Sequence, residues 1–123
     1  FDTITEEIFG PATVGLIVEN KAQMLLVAQQ LKGQLTATLH GAPGEWAAYS
    51  DLVLLLLHKA GRLVFNGFPT GVEVAAAMVH GGPYPATTDS RTTSVGGQAI
   101  YRFTRPVCFQ NCPTELLPQE LIK

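Results

Sequence analysis

Between residues 12 and 66 the apolar positions change their spacing from one segment to the next. Residues 12–19, ATVGLIVE, are almost continuously apolar and rich in branched side chains, which predicts a buried strand. Asn20 then offers a side-chain oxygen to the first turn of a helix, and Gln23 stands three residues on, the spacing of a capping box. The helix is predicted over KAQMLLVAQQLK, residues 21–32, with Leu25, Ala28 and Leu31 on one face and Gly33 as its C-terminal cap. QLTATLH, residues 34–40, alternates Leu35, Ala37 and Leu39 with Thr36 and Thr38, the pattern of a half-buried strand.

GAPG, residues 41–44, reads as a loop, and residues 45–60 as a second helix stopped by Gly61. Its LVLLLL run has strand-like composition, but length, Lys59 in the last turn and the glycine stop favour helix. Because it is apolar on all sides, it is expected to be nearly engulfed. RLVFN, residues 62–66, is a third strand. Strand, helix, strand, helix, strand implies two right-handed crossovers and a parallel sheet, an α/β fold.

Beyond Asn66 the periodicity fades into a long segment rich in Gly, Pro, Ser and Thr, yet too apolar in its middle to be disordered. Long irregular segments of this kind in compact proteins are commonly functional loops. QAIYRF predicts a short helix, RPVCFQN a strand, and TELLPQELIK a tail with a helical turn.

Composition narrows the function. The chain has 123 residues, enough for one domain with a core of its own. A net charge of −2 gives no electrostatic basis for binding nucleic acid or an acidic membrane surface. Apolar runs such as residues 52–57 stop far short of the ~18 residues of a membrane span. Charged residues make up 15%, against roughly 25% in an ordinary soluble domain, so part of the surface is expected to be covered by another chain or segment. With Phe1 rather than Met at its start, the sequence reads as a piece of a longer chain. Cys108 and Cys112 match no standard zinc spacing, and in an extended segment their Cα atoms lie ~13 Å apart, too far for a disulfide. They read as ordinary reduced thiols of a cytoplasmic protein.

A few residues stand out as candidate chemistry. His80 is followed by two glycines, which allow backbone to approach a ligand closely; a structural histidine holding its loop is the competing reading. Asn66, Phe68 and Thr70 follow the third strand, where parallel sheets bind ligands, although a plain turn explains them equally well. Arg91 and Arg102 carry the guanidinium that matches a carboxylate. No metal-ligand set and no GxGxxG or phosphate-binding loop is present.

EEIFGP at residues 6–11, the strand–helix alternation, AGRLVFN and the HGGPYP loop together resemble the C-terminal third of the NAD(P)-dependent aldehyde dehydrogenases. The segments NGFPTGVEV, HGGPYPATTDSRTTSVG, YRFTRPVCFQN and LLP resemble the branch that acts on 2-oxoglutarate semialdehyde (2,5-dioxopentanoate). The resemblance implies a partial catalytic domain over residues 1–104 and an oligomerisation strand with its tail over 105–123. It implies that Glu7 accepts hydrogen bonds from the nicotinamide ribose hydroxyls, for which a carboxylate has two suitable oxygens. Phe9 is implied to pack near the nicotinamide, and Gly10-Pro11 to bend the chain so that both side chains reach a cleft. His80, Phe68 and Asn66 become candidates for the aldehyde pocket. The partners implied are a small aldehyde, NADP or NAD, the remainder of the parent chain and further copies of it.

The family's nucleophile lies in a Gly-Gln-x-Cys context, whereas Gly97-Gln98 here is followed by Ala99-Ile100. The nucleophilic Cys, the general-base Glu and the main dinucleotide-binding domain of the family are all implied to lie upstream of EEIFGP. Hence no catalytic residue is expected in this chain, and alone it is expected to be inactive. Two alternatives accompany this reading. One is a non-catalytic oligomerisation or binding module derived from the family. The other keeps the activity but takes a longer aliphatic aldehyde.

Overall fold

The computed structural model describes residues 6–122. Residues 1–5 and 123, the outer ends of the two predicted units, lie outside the described residues. The first regular element is helix α1, Lys21–Gln30. Asn20 caps it as expected: its Oδ1 accepts from the Gln23 N–H at 3.0 Å. The Gln23 side chain reaches back one residue further than in a standard capping box, and its Oε1 accepts from the Glu19 N–H at 2.9 Å.

The end of α1 differs from the expectation. Leu31, not Gly33, is its C-cap, in extended backbone. The exposed carbonyls are satisfied by a distant lysine instead: Lys59 Nζ donates to Gln29 O at 2.9 Å and to Leu31 O at 2.6 Å. A cation at a helix C-terminus is favoured by the helix dipole. Lys59 therefore serves α1 rather than the helix that precedes it in sequence.

Strand β1, Gln34–Leu39, follows. The second helical region is shorter and less uniform than predicted. A 3₁₀ turn, Trp46–Tyr49, leads into helix α2, Ser50–Leu57. Lys21 fastens this corner to α1, with its ammonium 2.8 Å from the Asp51 carboxylate and donating to the Ala48 carbonyl. Strand β2, Ala60–Phe65, begins before Gly61, so that glycine lies inside the strand and is not a helix stop. The two strands pair in parallel, with Thr36 opposite Arg62 and Leu39 opposite Phe65.

The core sits between this pair of strands and the helices. Ala28 of α1, Leu39 of β1, and Leu52 and Leu56 of α2 are buried, with Met24, Trp46, Tyr49 and Leu63 packed around them. The expected engulfing of α2 does not occur. Leu54 is 61% and Leu57 56% exposed, because α1 and the strands cover only the side of α2 that carries Leu52 and Leu56.

Two predicted strands are absent among the described residues, where the sheet has two strands rather than three. Residues 12–19 enter no ladder, and Ile17 is fully exposed. The segment RPVCFQN likewise forms no strand, and Val107 and Phe109 are exposed. An apolar, β-branched run favours a pleated surface only when a neighbouring strand supplies the other half of the ladder, and here neither run has one. The short helix α3, Ile100–Phe103, forms where it was expected. The tail makes two 3₁₀ turns, Thr114–Leu116 and Gln119–Leu121.

The Gly-rich loop is stitched to the starts of both strands. A Cβ on Gly33 would meet the carbonyls of Pro83 and Tyr84, one on Gly61 the carbonyl of Gly81, and one on Gly82 the carbonyl of Gln34. These glycines permit backbone-to-backbone approach that no side chain allows. No helix among the described residues is long and apolar enough to cross a membrane.

Candidate functional site

The stitched loop helps form a cleft of about 850 Å³. Its floor is the start of β1, from Gln34 to Thr36, with Arg62 beside Thr36 on β2. The segment from Pro69 to Val72 forms one wall, and His80, Pro85 and Ala86 form another. Glu6 and Glu7 stand along the mouth. The cleft thus brings together two residues far apart in sequence that were singled out for function, Glu7 and His80, with Thr70 between them in the chain.

Glu7 is exposed, and its carboxylate takes no hydrogen bond or ion pair from any described residue. Both of its oxygens are therefore available to a ligand. His80 is half-buried and held by its backbone: its N–H donates to Thr93 Oγ1 at 2.8 Å, and its carbonyl accepts from the Ser94 N–H at 3.2 Å and the Ser94 hydroxyl at 3.1 Å. Thr93, the one buried polar residue among those described, extends this network by donating to Val95 O at 2.7 Å. These bonds fix the His80 main chain where the residue lines the cleft.

The other expected site residues lie elsewhere. Phe9 is 95% exposed and does not line the cleft. Asn66 follows the far end of β2, about 13 Å along the strand from Arg62 at roughly 3.3 Å per residue. Both ends of its amide are occupied by Gly41: Oδ1 accepts from the Gly41 N–H at 2.8 Å, and Nδ2 donates to the Gly41 carbonyl at 3.0 Å. Phe68 packs against His40 with ring centroids 5.3 Å apart and the ring planes tilted by 47°. That contact lies beside a second, smaller pocket of about 330 Å³ lined by His40, Gly41, Trp46 and Tyr49. Asn66 and Phe68 thus fall at the carboxyl ends of the strands, while the Glu7–His80 cleft opens at their amino ends.

Arg91 and Arg102 do not line the cleft either. Arg91 pairs with Asp89 at 3.2 Å, and Arg102 donates to Thr92 Oγ1 at 3.0 Å. The Arg91 backbone N–H, and after it the Arg91 guanidinium, hold the Asp89 carboxyl below the usual carboxylate range. The arginine that does reach the cleft is Arg62, which the sequence reading passed over as part of a strand. The signal was present, since Arg62 is the only charged side chain in β2. Cys108 is exposed and Cys112 half-buried, both as free thiols outside the cleft.

No protein-family model matches the chain. Over 118 residues it is 52% identical to the alpha-ketoglutaric semialdehyde dehydrogenase of Acinetobacter baylyi, a match covering 96% of this chain and 22% of that protein. Over 117 residues it is 49% identical to alpha-ketoglutaric semialdehyde dehydrogenase 2 of Azospirillum brasilense, covering 95% of this chain and 22% of that protein. The chain is homologous to one segment of the alpha-ketoglutaric semialdehyde dehydrogenases. It spans about a fifth of the length of these dehydrogenases, so the cleft of Glu7 and His80 represents a correspondingly small part of such an enzyme.

Proposed function

We propose that this chain is the C-terminal part of an NAD(P)-dependent aldehyde dehydrogenase that oxidises 2-oxoglutarate semialdehyde to 2-oxoglutarate. The single observation that carries the reading is the unpartnered Glu7 carboxylate at the mouth of a cleft that also holds His80. A vicinal diol needs two acceptors in one place, and a free carboxylate supplies them with charge assistance. Glu7 then binds the nicotinamide ribose. When bound, the dinucleotide would supply the hydride acceptor that the oxidation needs.

The chain's own residues bind and shape. Glu7 fixes the ribose, and the 69–72 wall and His80 bound the space left for the aldehyde. Phe9, exposed and outside the cleft in this chain, is assigned to cover the nicotinamide only through its position in EEIFGP. Phe68 and Asn66 act from the opposite end of the strands, Asn66 by holding the loop at Gly41. The thiol nucleophile and the general base belong to the remainder of the enzyme. The large exposed apolar surface, including Ile17 and Phe109, is the surface which that remainder and further copies of the chain cover. The free thiols suit a reducing compartment such as the cytoplasm.

The test is an assay of the intact parent enzyme and of the 123-residue chain, side by side, with NADP⁺ or NAD⁺ and 2-oxoglutarate semialdehyde. The parent is expected to form reduced dinucleotide and the short chain none. Turnover by the short chain, or none by the parent, contradicts the proposal.

A further inference from the structure

Arg62 is a cation in a strand that is otherwise apolar apart from its glycine, and its side chain enters the cleft beside Glu7 and His80. Its hydrogen bonds among the described residues come from one nitrogen. Nη1 donates to the Gly71 carbonyl at 2.7 Å and lies 3.9 Å from the Met78 sulfur. Nε is sealed from solvent with no acceptor, and no carboxylate among the described residues pairs with the guanidinium. A half-buried guanidinium with donors unspent is costly unless an anion completes it. The two acids nearest in the site, Glu6 and Glu7, line the same cleft without pairing to it.

The bond to Gly71 also fixes where the charge sits. Among the described residues it is the one hydrogen bond that ties the 67–74 segment to the sheet side chains. The guanidinium is thereby held beside the 69–72 wall, and among the described residues Nη2 has no acceptor. A carboxylate is the anion that suits this position. It is small enough to reach the floor of the cleft, and guanidinium hydrogen-bonds it with charge assistance.

We infer that Arg62 anchors the carboxylate of the substrate and so selects an aldehyde that carries an acid at its far end. This inference rests on the aldehyde dehydrogenase reading above and names the residue that gives it its specificity. The same guanidinium chemistry would also suit a dinucleotide phosphate, and the experiment separates the two.

In the intact parent enzyme, kcat/KM is measured for 2-oxoglutarate semialdehyde and for pentanal, an uncharged aldehyde of equal chain length. The ratio of the two values does not depend on how much of a variant folds. Arg62→Gln is expected to lower that ratio about 10- to 100-fold, as loss of a hydrogen bond to a charged group does. Arg62→Lys, which keeps the charge but loses the planar fork, is expected to lower it several-fold. An unchanged ratio in both variants overturns the inference, as does an unchanged ratio in Arg62→Lys when Arg62→Gln has no activity at all. A change confined to the NADP⁺ over NAD⁺ preference also overturns it and assigns Arg62 to the phosphate. A wild-type enzyme that oxidises pentanal but not the acid-bearing aldehyde refutes the substrate proposed above, independently of any variant.

Discussion

Asn66 holds φ at 49° and spends both ends of its amide on one backbone unit. Asparagine tolerates that left-handed backbone better than most residues, and its amide is the side chain that can both donate to and accept from Gly41. Asn66→Ala in the parent enzyme is expected to cost about 2 kcal/mol, from two net hydrogen bonds near 1 kcal/mol each. The urea unfolding midpoint checks it, and the dinucleotide KM is expected to stay put. Asp51 gives a second residue-scale prediction. The Lys21 ammonium, bonded to its carboxylate, holds its pKa below the usual value. The contribution to stability is therefore complete above the ordinary carboxylate range and is lost as pH falls through the lowered value. Asp51→Asn should flatten the acid side of the stability–pH curve and leave the neutral side nearly level.

At the scale of elements, the glycines define the architecture more than any apolar contact does. Gly61→Ala would drive a methyl group into the carbonyl of Gly81, and backbone cannot move aside as a side-chain tip can. The expected loss is at least about 2 kcal/mol, in the upper range for single substitutions, with a raised aldehyde KM because the loop carries His80. Circular dichroism melting together with the aldehyde KM of the parent enzyme checks both parts. The same glycines show what a sequence conveys and what it withholds. Asn20, the alternation of Leu35, Ala37 and Leu39, and the terminal Phe65 of β2 mark local structure, because capping and pleating depend on near neighbours. Gly33 and Gly61 resemble helix stops locally. Their actual role depends on Pro83 and Gly81, dozens of residues away, which no local pattern contains. Residues 12–19 show the same limit, since strand propensity needs a partner strand to express it. Glu7 and His80 were readable as candidates one at a time, through EEIFGP and HGGP. That one cleft joins them with Arg62 follows only from the stitched loop.

For the whole molecule the decisive feature is how little of the apolar surface the chain covers for itself. Among the described residues no large side chain is fully buried, while Phe9, Ile17, Leu54 and Phe109 face solvent. A 123-residue chain with so small a core is expected to associate when isolated, and sedimentation at micromolar concentration should show species larger than a monomer. A clean monomer would mean that the apolar face is tolerated without cover. On the function proposed above, the same face is interior in the parent enzyme and the cleft becomes one side of an enclosed site. The most direct measurement of that account is the dinucleotide KM of the parent enzyme carrying Glu7→Gln. The substitution keeps the side-chain shape but removes the charge and one of the two acceptors. A rise of about 10- to 100-fold is predicted, the usual loss for hydrogen bonds to a charged group. A dinucleotide KM equal to that of the unmodified enzyme would contradict the role given to Glu7, and with it the reading of the cleft.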